Sequence, residues 1–212
     1  MDYKKTFIEL AINKNALKFG SFKLKSERIS PFFFNSGVFS DGKSLSIISN
    51  LFLELIKEKN LKFENIFGPA YKGIPLASTL ASHIATENNY ETNFIYDRKG
   101  EKKHGEKGDI VGTFKEGNTL IVDDVITAGT AIKNTINKLE KYNVSISALI
   151  VLMDRQEKGS QDSSASDEIK KKYGINVYSL INISDIIDYV SNTEEFQKYK
   201  KDIIEYKKKY SS

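Results

Sequence analysis

The sequence predicts an α/β protein: a parallel sheet flanked by helices. Three observations carry that prediction. Short apolar runs of strand length recur at 66–67, 120–122 and 147–153. Stretches whose apolar residues keep helical spacing lie between them. Small residues mark the strand-to-helix joins, as at Gly68-Pro69 and Thr127-Ala128-Gly129. Buried strands alternating with amphipathic helices are the pattern of a parallel sheet.

Taken in order, residues 2–17 read as a helix with Phe7, Leu10 and Ala11 on one face. A β-prone stretch follows from Ser21 to Gly37, holding Phe22, Leu24 and the run Phe32-Phe33-Phe34. Helical spacing returns at Ile48, Leu51, Phe52 and Leu55. A short strand ends at Ile66-Phe67, Gly68-Pro69 turns the chain, and a helix runs through Ala77, Leu80, Ala81 and Ile84. A strand covers Asn93 to Tyr96, and a polar, Gly-rich stretch extends from Arg98 to Gly108. The second half repeats the rhythm. Leu120-Ile121-Val122 is a buried strand, Ile132, Ile136 and Leu139 mark a helix, and Ser147 to Met153 is another buried strand. A helix near 165–173, a strand at Ile175 to Leu180 and a last helix at about 194–210 complete the chain. That last helix aligns Phe196, Tyr199, Ile203 and Tyr206 on one stripe, and its Lys residues interleave with Glu and Asp as on a solvated face.

A length of 212 residues fits one domain, and the polar cluster Ser160 to Ser166 is too short to divide it, so a single domain over 1–212 is expected. With 40% hydrophobic and 28% charged residues the composition is that of a globular protein. The net charge of +4 is mild, and a small anionic substrate accounts for it as well as a nucleic acid would. There is no Cys, which excludes disulfides and thiolate metal sites and agrees with a reducing cytosol. The N-terminal segment lacks a signal-peptide core. The longest strictly apolar run, Ala148 to Met153, is far short of the roughly 20 residues of a membrane span. A soluble, cytoplasmic protein is expected.

The most informative stretch is Thr119-Leu120-Ile121-Val122-Asp123-Asp124-Val125-Ile126-Thr127-Ala128-Gly129-Thr130-Ala131. A buried strand delivers two adjacent acids to its C-terminal edge, and a small-residue loop leads at once into a helix. Ligands of open α/β sheets sit outside the carboxyl ends of strands. Free N–H groups at the helix start, aligned with the positive end of its dipole, make a seat for phosphate. Two acids beside that seat make electrostatic sense if the ligand also offers hydroxyls or a cation. A ribose 5-phosphate offers hydroxyls. An ordinary capped turn is the plain alternative for Asp-Asp, and the attached Thr-x-Gly-Thr loop argues against it. Two other phosphate motifs fail. Gly68 and Gly73 have P-loop spacing, but Ile74 stands where Lys is required, and no G-x-G-x-x-G occurs.

Residues 119–131 are similar to the phosphoribosyl pyrophosphate (PRPP) motif of type I phosphoribosyltransferases. From about Ala16 to Val190 the chain resembles the bacterial-type orotate phosphoribosyltransferases through further motifs in order. These are Ala16-Leu17-Lys18-Phe19-Gly20, Ser30-Pro31-Phe32-Phe33-Phe34-Asn35 and Gly68-Pro69-Ala70-Tyr71-Lys72-Gly73-Ile74-Pro75. Arg98-Lys99 with Lys102 and His104-Gly105-Glu106 precede the PRPP motif, and Asp154-Arg155-Gln156-Glu157 follows it. The resemblance implies transfer of the 5-phosphoribosyl group of PRPP to orotate, giving orotidine 5′-monophosphate and pyrophosphate in pyrimidine biosynthesis. It also implies a homodimer, with the 98–108 loop completing the neighbouring subunit's site. A small hood, mainly from the 20–40 region, should cover the base. Mg²⁺ is expected to bind mainly through PRPP and water, with no dedicated protein ligands.

Site residues carry over one by one. Asp123 and Asp124 should hold the ribose and favour positive charge developing on it, while Val125, Ile126, Thr127, Ala128, Gly129, Thr130 and Ala131 cradle the 5′-phosphate. Tyr71 and Lys72 should sit at the pyrophosphate, on a loop that physics alone allows to be a simple strand-to-helix turn. Arg98 to Gly108 has four cationic side chains before His104, three Gly and almost nothing apolar, so it cannot pack as core. It reads either as a surface loop or as a lid whose cations suit a polyphosphate. The resemblance assigns Arg98, Lys99, Lys102 and His104 to PRPP, with Lys102 the most rate-sensitive side chain. Lys25 matches a further PRPP contact. Phe33 and Phe34 read as core aromatics or, by resemblance, as part of the orotate pocket, with Thr127 and Arg155. A guanidinium suits the carboxylate of orotate. His83, between small residues on a helix, reads as structural. Competing readings are an enzyme for another base, a PRPP-sensing regulator without turnover, and a generic α/β domain. The last leaves the ordered motifs unexplained, and no spare segment suits a regulator's nucleic-acid-binding domain.

Overall fold

A computed structural model describes residues 2–24, 27–88, 90–98, 109–158 and 163–211. Helix α1 (Tyr3–Asn13) starts where the Asp2 carboxylate accepts the amides of Lys4 and Lys5. It ends before Asn15, whose left-handed φ of 57° turns the chain into a hairpin of β1 (Leu17–Lys23) and β2 (Ile29–Phe34). The predicted helix therefore stops short of residue 17, and the β-prone stretch begins earlier than Ser21. A 3-10 turn at Ser36–Val38 leads to α2 (Gly42–Glu58), capped by Asp41.

Then comes the main sheet. Strands β3 (Asn65–Gly68), β4 (Asn93–Asp97), β6 (Asn118–Ile126), β7 (Ser145–Asp154) and β8 (Asn176–Asn182) are parallel. The order is β5-β4-β3-β6-β7-β8, and the short β5 (Ile110–Val111) adds an antiparallel edge that the sequence reading lacked. The intervening helices are α3 (Gly73–Asn88), α4 (Thr130–Glu140) and α5 (Ala165–Tyr173). After β8 come α6 (Ile183–Asn192), a 3-10 stretch at Glu194–Tyr199 and α7 (Lys200–Tyr210). Helix α6 was not foreseen, and the helix predicted at 194–210 is split in two.

Alternation within the strands explains the layers. Leu120, Val122, Ala148, Ile150 and Leu152 face a core built with α1, α2, α3, α6 and α7. Ile121, Leu149 and Val151 face the opposite core, with Ile132 and Ile136 of α4 and Ile169 of α5. Successive side chains point to opposite faces, so a strand buried on both sides must be apolar throughout. From β3 the chain steps to β4 on one side, and from β6 to β7 and β8 on the other. Right-handed crossovers then place α3 on one face and α4 and α5 on the other.

The β1–β2 hairpin, a separate two-stranded sheet, is the segment expected to form the hood. It leans on α7 and the chain just before it through Phe32 edge-on to Tyr206, with ring centres 6.0 Å apart, and Phe19 stacked on Tyr199 at 5.3 Å. Among the described residues no helix is long and apolar enough to cross a membrane.

Candidate active site

Strand β3 lies beside β6, yet the chain winds away from them in opposite directions. Their carboxyl ends therefore open on a topological switch point, the crevice where open α/β sheets bind ligands. Two turns reach it: residues 69–72 after β3 and residues 127–129 after β6. The first is tight, and its join to α3 lies close against β6, because glycine allows it. A Cβ on Gly68 would lie 2.5 Å from the Gly73 carbonyl oxygen, and one on Gly73 would lie 2.6 Å from the Val122 oxygen.

Asp123 and Asp124 stand near the end of β6. Burial, then the adjacent Asp124 charge, pushes the Asp123 carboxyl up to about 7, against the opposing Asp124 amide and Lys72. One oxygen of Asp124 accepts the Val125 amide at 2.8 Å. The other accepts the Ser36 hydroxyl at 2.5 Å and lies 3.4 Å from the Lys72 ammonium. Lys72 also donates to Ser36 at 2.9 Å and to the Asn35 side chain at 3.5 Å. A cation, a carboxylate and a hydroxyl from three separate segments thus meet at one point. The set can accept sugar hydroxyls on the acids and offset an anion with the ammonium.

The turn after β6 leads into a helix whose first amides have no side-chain cap among the described residues: Gly129, at φ 74°, precedes α4. Helices α1, α2, α5 and α6 each have a side-chain cap. The first amides of α4 are left for another acceptor. Thr127, Ala128 and Thr130 are exposed around them, Ile126 is buried, and Val125 is half-buried. On the β3 side the Ala70–Tyr71 peptide is cis, Tyr71 is 65% exposed, and the Ala70 amide donates to Asp97 at 2.6 Å.

The residues expected around the base divide. Arg155, 5% exposed, pairs with Glu157 at 2.7 Å and donates to Ser30 at 3.1 Å and Tyr206 at 3.3 Å. Its guanidinium lies over the Phe32 ring, 4.3 Å from the centre. So the structure brings Arg155 to β2, but onto Phe32. Phe33, 39% exposed, packs against Phe22, and Phe34 packs against Phe7 and Phe39. Arg98 is half-buried, and its amide donates to the Asp109 carbonyl at 2.8 Å. Lys25, Lys99, Lys102, His104 and the rest of the 99–108 segment lie outside the described residues. His83, on α3, hydrogen-bonds to Asn50 of α2 at 2.7 Å.

Ser36 and Asp97 were missed as site residues, and Asn35 was quoted only as part of a motif. Each had a faint signal: Asn35-Ser36-Gly37 is a polar turn beside an aromatic strand, and Asp97 ends a strand at the ligand edge. Among the described residues no group of three or more His, Cys, Asp or Glu could hold a metal unaided.

Comparison with known proteins bears on the family and the fold. The phosphoribosyl transferase domain family matches residues 38–180. An orotate phosphoribosyltransferase of Marinobacter nauticus is 44% identical over 209 residues, covering 99% of this chain and 98% of that one. One from Photorhabdus laumondii is 39% identical over 98% of both chains. The solved orotate phosphoribosyltransferase of Francisella tularensis superposes with a TM-score of 0.87 at 37% identity, covering 98% of this chain and 100% of its own. Full-length identity at this level, on a shared fold, places the chain in the orotate phosphoribosyltransferase family.

Proposed function

We infer that the protein transfers the 5-phosphoribosyl group of PRPP to a ring nitrogen of orotate, yielding orotidine 5′-monophosphate and pyrophosphate. The observation that carries this is the switch-point crevice, where the Asp123–Asp124 edge, the uncapped start of α4 and Lys72 converge. The bond from the anomeric carbon to pyrophosphate breaks as the bond to nitrogen forms, and that nitrogen loses its proton. Positive charge grows on the ribose meanwhile.

Asp123 and Asp124 accept the ribose hydroxyls and stabilise that charge, and residues 125–131 hold the 5′-phosphate. Tyr71, Lys72, Arg98, Lys99, Lys102 and His104, with Lys25, serve PRPP and its departing pyrophosphate. Phe33, Phe34, Thr127 and Arg155 serve orotate. Arg155 is supported in that role by its place under the hood, where Phe32 and Ser30 fix its plane. Mg²⁺ suits this edge, because the chain has no Cys and its donors here are carboxylate oxygens. Carried on PRPP, it would offset charge on the leaving group, with Asp123 and Asp124 available to hold its water. Residues 1–212 would act as one domain within a homodimer in the cytoplasm, each 98–108 loop serving the partner's site.

The test is loss of orotate absorbance on adding PRPP and Mg²⁺, with uracil and hypoxanthine as controls. Consumption of orotate alone is expected. Turnover of hypoxanthine with orotate untouched would assign the crevice to another base.

A further inference from the structure

Lys138, in the last turn of α4, reaches both ends of the polar segment and, through one of them, the pyrophosphate turn. Its ammonium donates to one Asp97 oxygen at 2.7 Å and lies 3.2 Å from Asp109. The other Asp97 oxygen accepts the Ala70 amide at 2.6 Å. Asp109 in turn accepts the Tyr142 hydroxyl at 2.6 Å. A line of contacts therefore runs from the helix behind the phosphate turn to the backbone of the turn after β3, only two residues before Lys72.

The charges explain why the line holds. Burial opposes the Lys138 charge, but hydrogen bonds to Asp97 and Asp109 outweigh it and raise that ammonium above the ordinary lysine range. The Tyr142 hydroxyl, and then Lys138, hold Asp109 below the usual carboxylate range against burial. Both carboxylates lie within 3.2 Å of the same nitrogen, so without it they would face one another as like charges. Asp97 would then be free to turn, and the Ala70 amide would lose its fixed acceptor. Asp109 touches the same lysine but not the turn, so the two acids can be told apart by experiment.

We propose that Lys138 is a positioning residue for pyrophosphate recognition: through Asp97 it fixes the Ala70 amide, and so aims the turn that bears Tyr71 and Lys72. This rests on the reading that the 69–72 turn meets pyrophosphate.

Running the reaction in both directions separates the effects. Lys138→Met should raise KM for PRPP, and for pyrophosphate in the reverse reaction, by about tenfold, the loss of one charge-assisted hydrogen bond. KM for orotate and for orotidine 5′-monophosphate should stay within about twofold, because their contacts lie on other segments. Lys138→Arg should restore most of the loss. Asp97→Asn should reproduce the Lys138→Met pattern, and adding Lys138→Met to it should change little more, since both cut one line. Asp109→Asn should leave KM for pyrophosphate within about twofold. Should Lys138→Met fail to fold, Asp97→Asn and Asp109→Asn decide the matter between them. A parallel change in all four constants, equal effects from the two acids, or no rise in KM for pyrophosphate overturns the proposal. Lys72→Ala tests the underlying reading by itself. If it leaves KM for pyrophosphate unchanged, the turn is not the pyrophosphate seat. If it raises that constant while Lys138→Met and Asp97→Asn do not, only the positioning role fails.

Discussion

Burial and the neighbouring Asp124 charge push the Asp123 carboxyl up to about 7, well above the roughly 4 at which an exposed aspartate titrates. A folded-state value above the unfolded one means that folding takes up a proton. The stability this group contributes is therefore complete below about pH 4 and is lost as pH rises through about 7. Without ligand, the melting temperature should fall between pH 5 and pH 8 more steeply for the wild type than for Asp123→Asn; parallel curves would deny the shift. Activity should run the other way, with kcat/KM for PRPP rising over the same interval as the carboxylate that accepts a ribose hydroxyl appears. Asp124 is the simpler partner, already bonded to Ser36 and close to Lys72. Asp124→Asn keeps the shape and removes the charge, so kcat should drop about 10²–10³-fold with little change in melting temperature. A drop under about tenfold would take Asp124 out of transition-state stabilisation.

The join between β3 and α3 depends on two glycines more than on any side chain. Gly73→Ala would put a methyl 2.6 Å from the Val122 oxygen and force α3 off β6. Unfolding in urea should show a loss of about 1–3 kcal/mol, with a weaker KM for PRPP beside it. An unchanged midpoint would mean the backbone gives way freely. The hood has a comparable dependence on Glu157, which is buried between Arg155 and Arg28 and also bonded to Tyr206. Glu157→Ala strands the Arg155 charge and should cost about 3–5 kcal/mol, measured the same way. A loss below about 1 kcal/mol would mean the guanidinium finds water. What could be read beforehand follows from distance along the chain. The strand, acid pair, turn and helix of 118–140 are contiguous, so a short apolar run, helical spacing and small residues announced them. Ser36, Asp97 and Lys138 join their partners only after folding, across 88, 27 and 41 positions respectively, and no local pattern encodes that. Helix α6 escaped because no Gly or Pro separates it from β8; its start is set by an Asn182–Asp185 capping box within an apolar run.

At the scale of the whole molecule, the proposed sharing of the 98–108 loop predicts complementation. Lys102→Ala and Asp124→Asn chains, each inactive alone, should recover part of the wild-type rate when mixed, because some hybrid sites receive both intact residues. No recovery in a mixture shown to exchange subunits would confine each site to one chain. The β3–β6 seam bears on a different property. Asn65 pairs there with Thr119, a long-range contact that a folding chain secures only after paying the entropy of closing a large loop. Competence to bind should consequently arrive late in folding and vanish early in partial unfolding. Hydrogen exchange would register it as amides of β3 and β6 slowing together when PRPP is added, two distant stretches of sequence answering as a single cooperative unit.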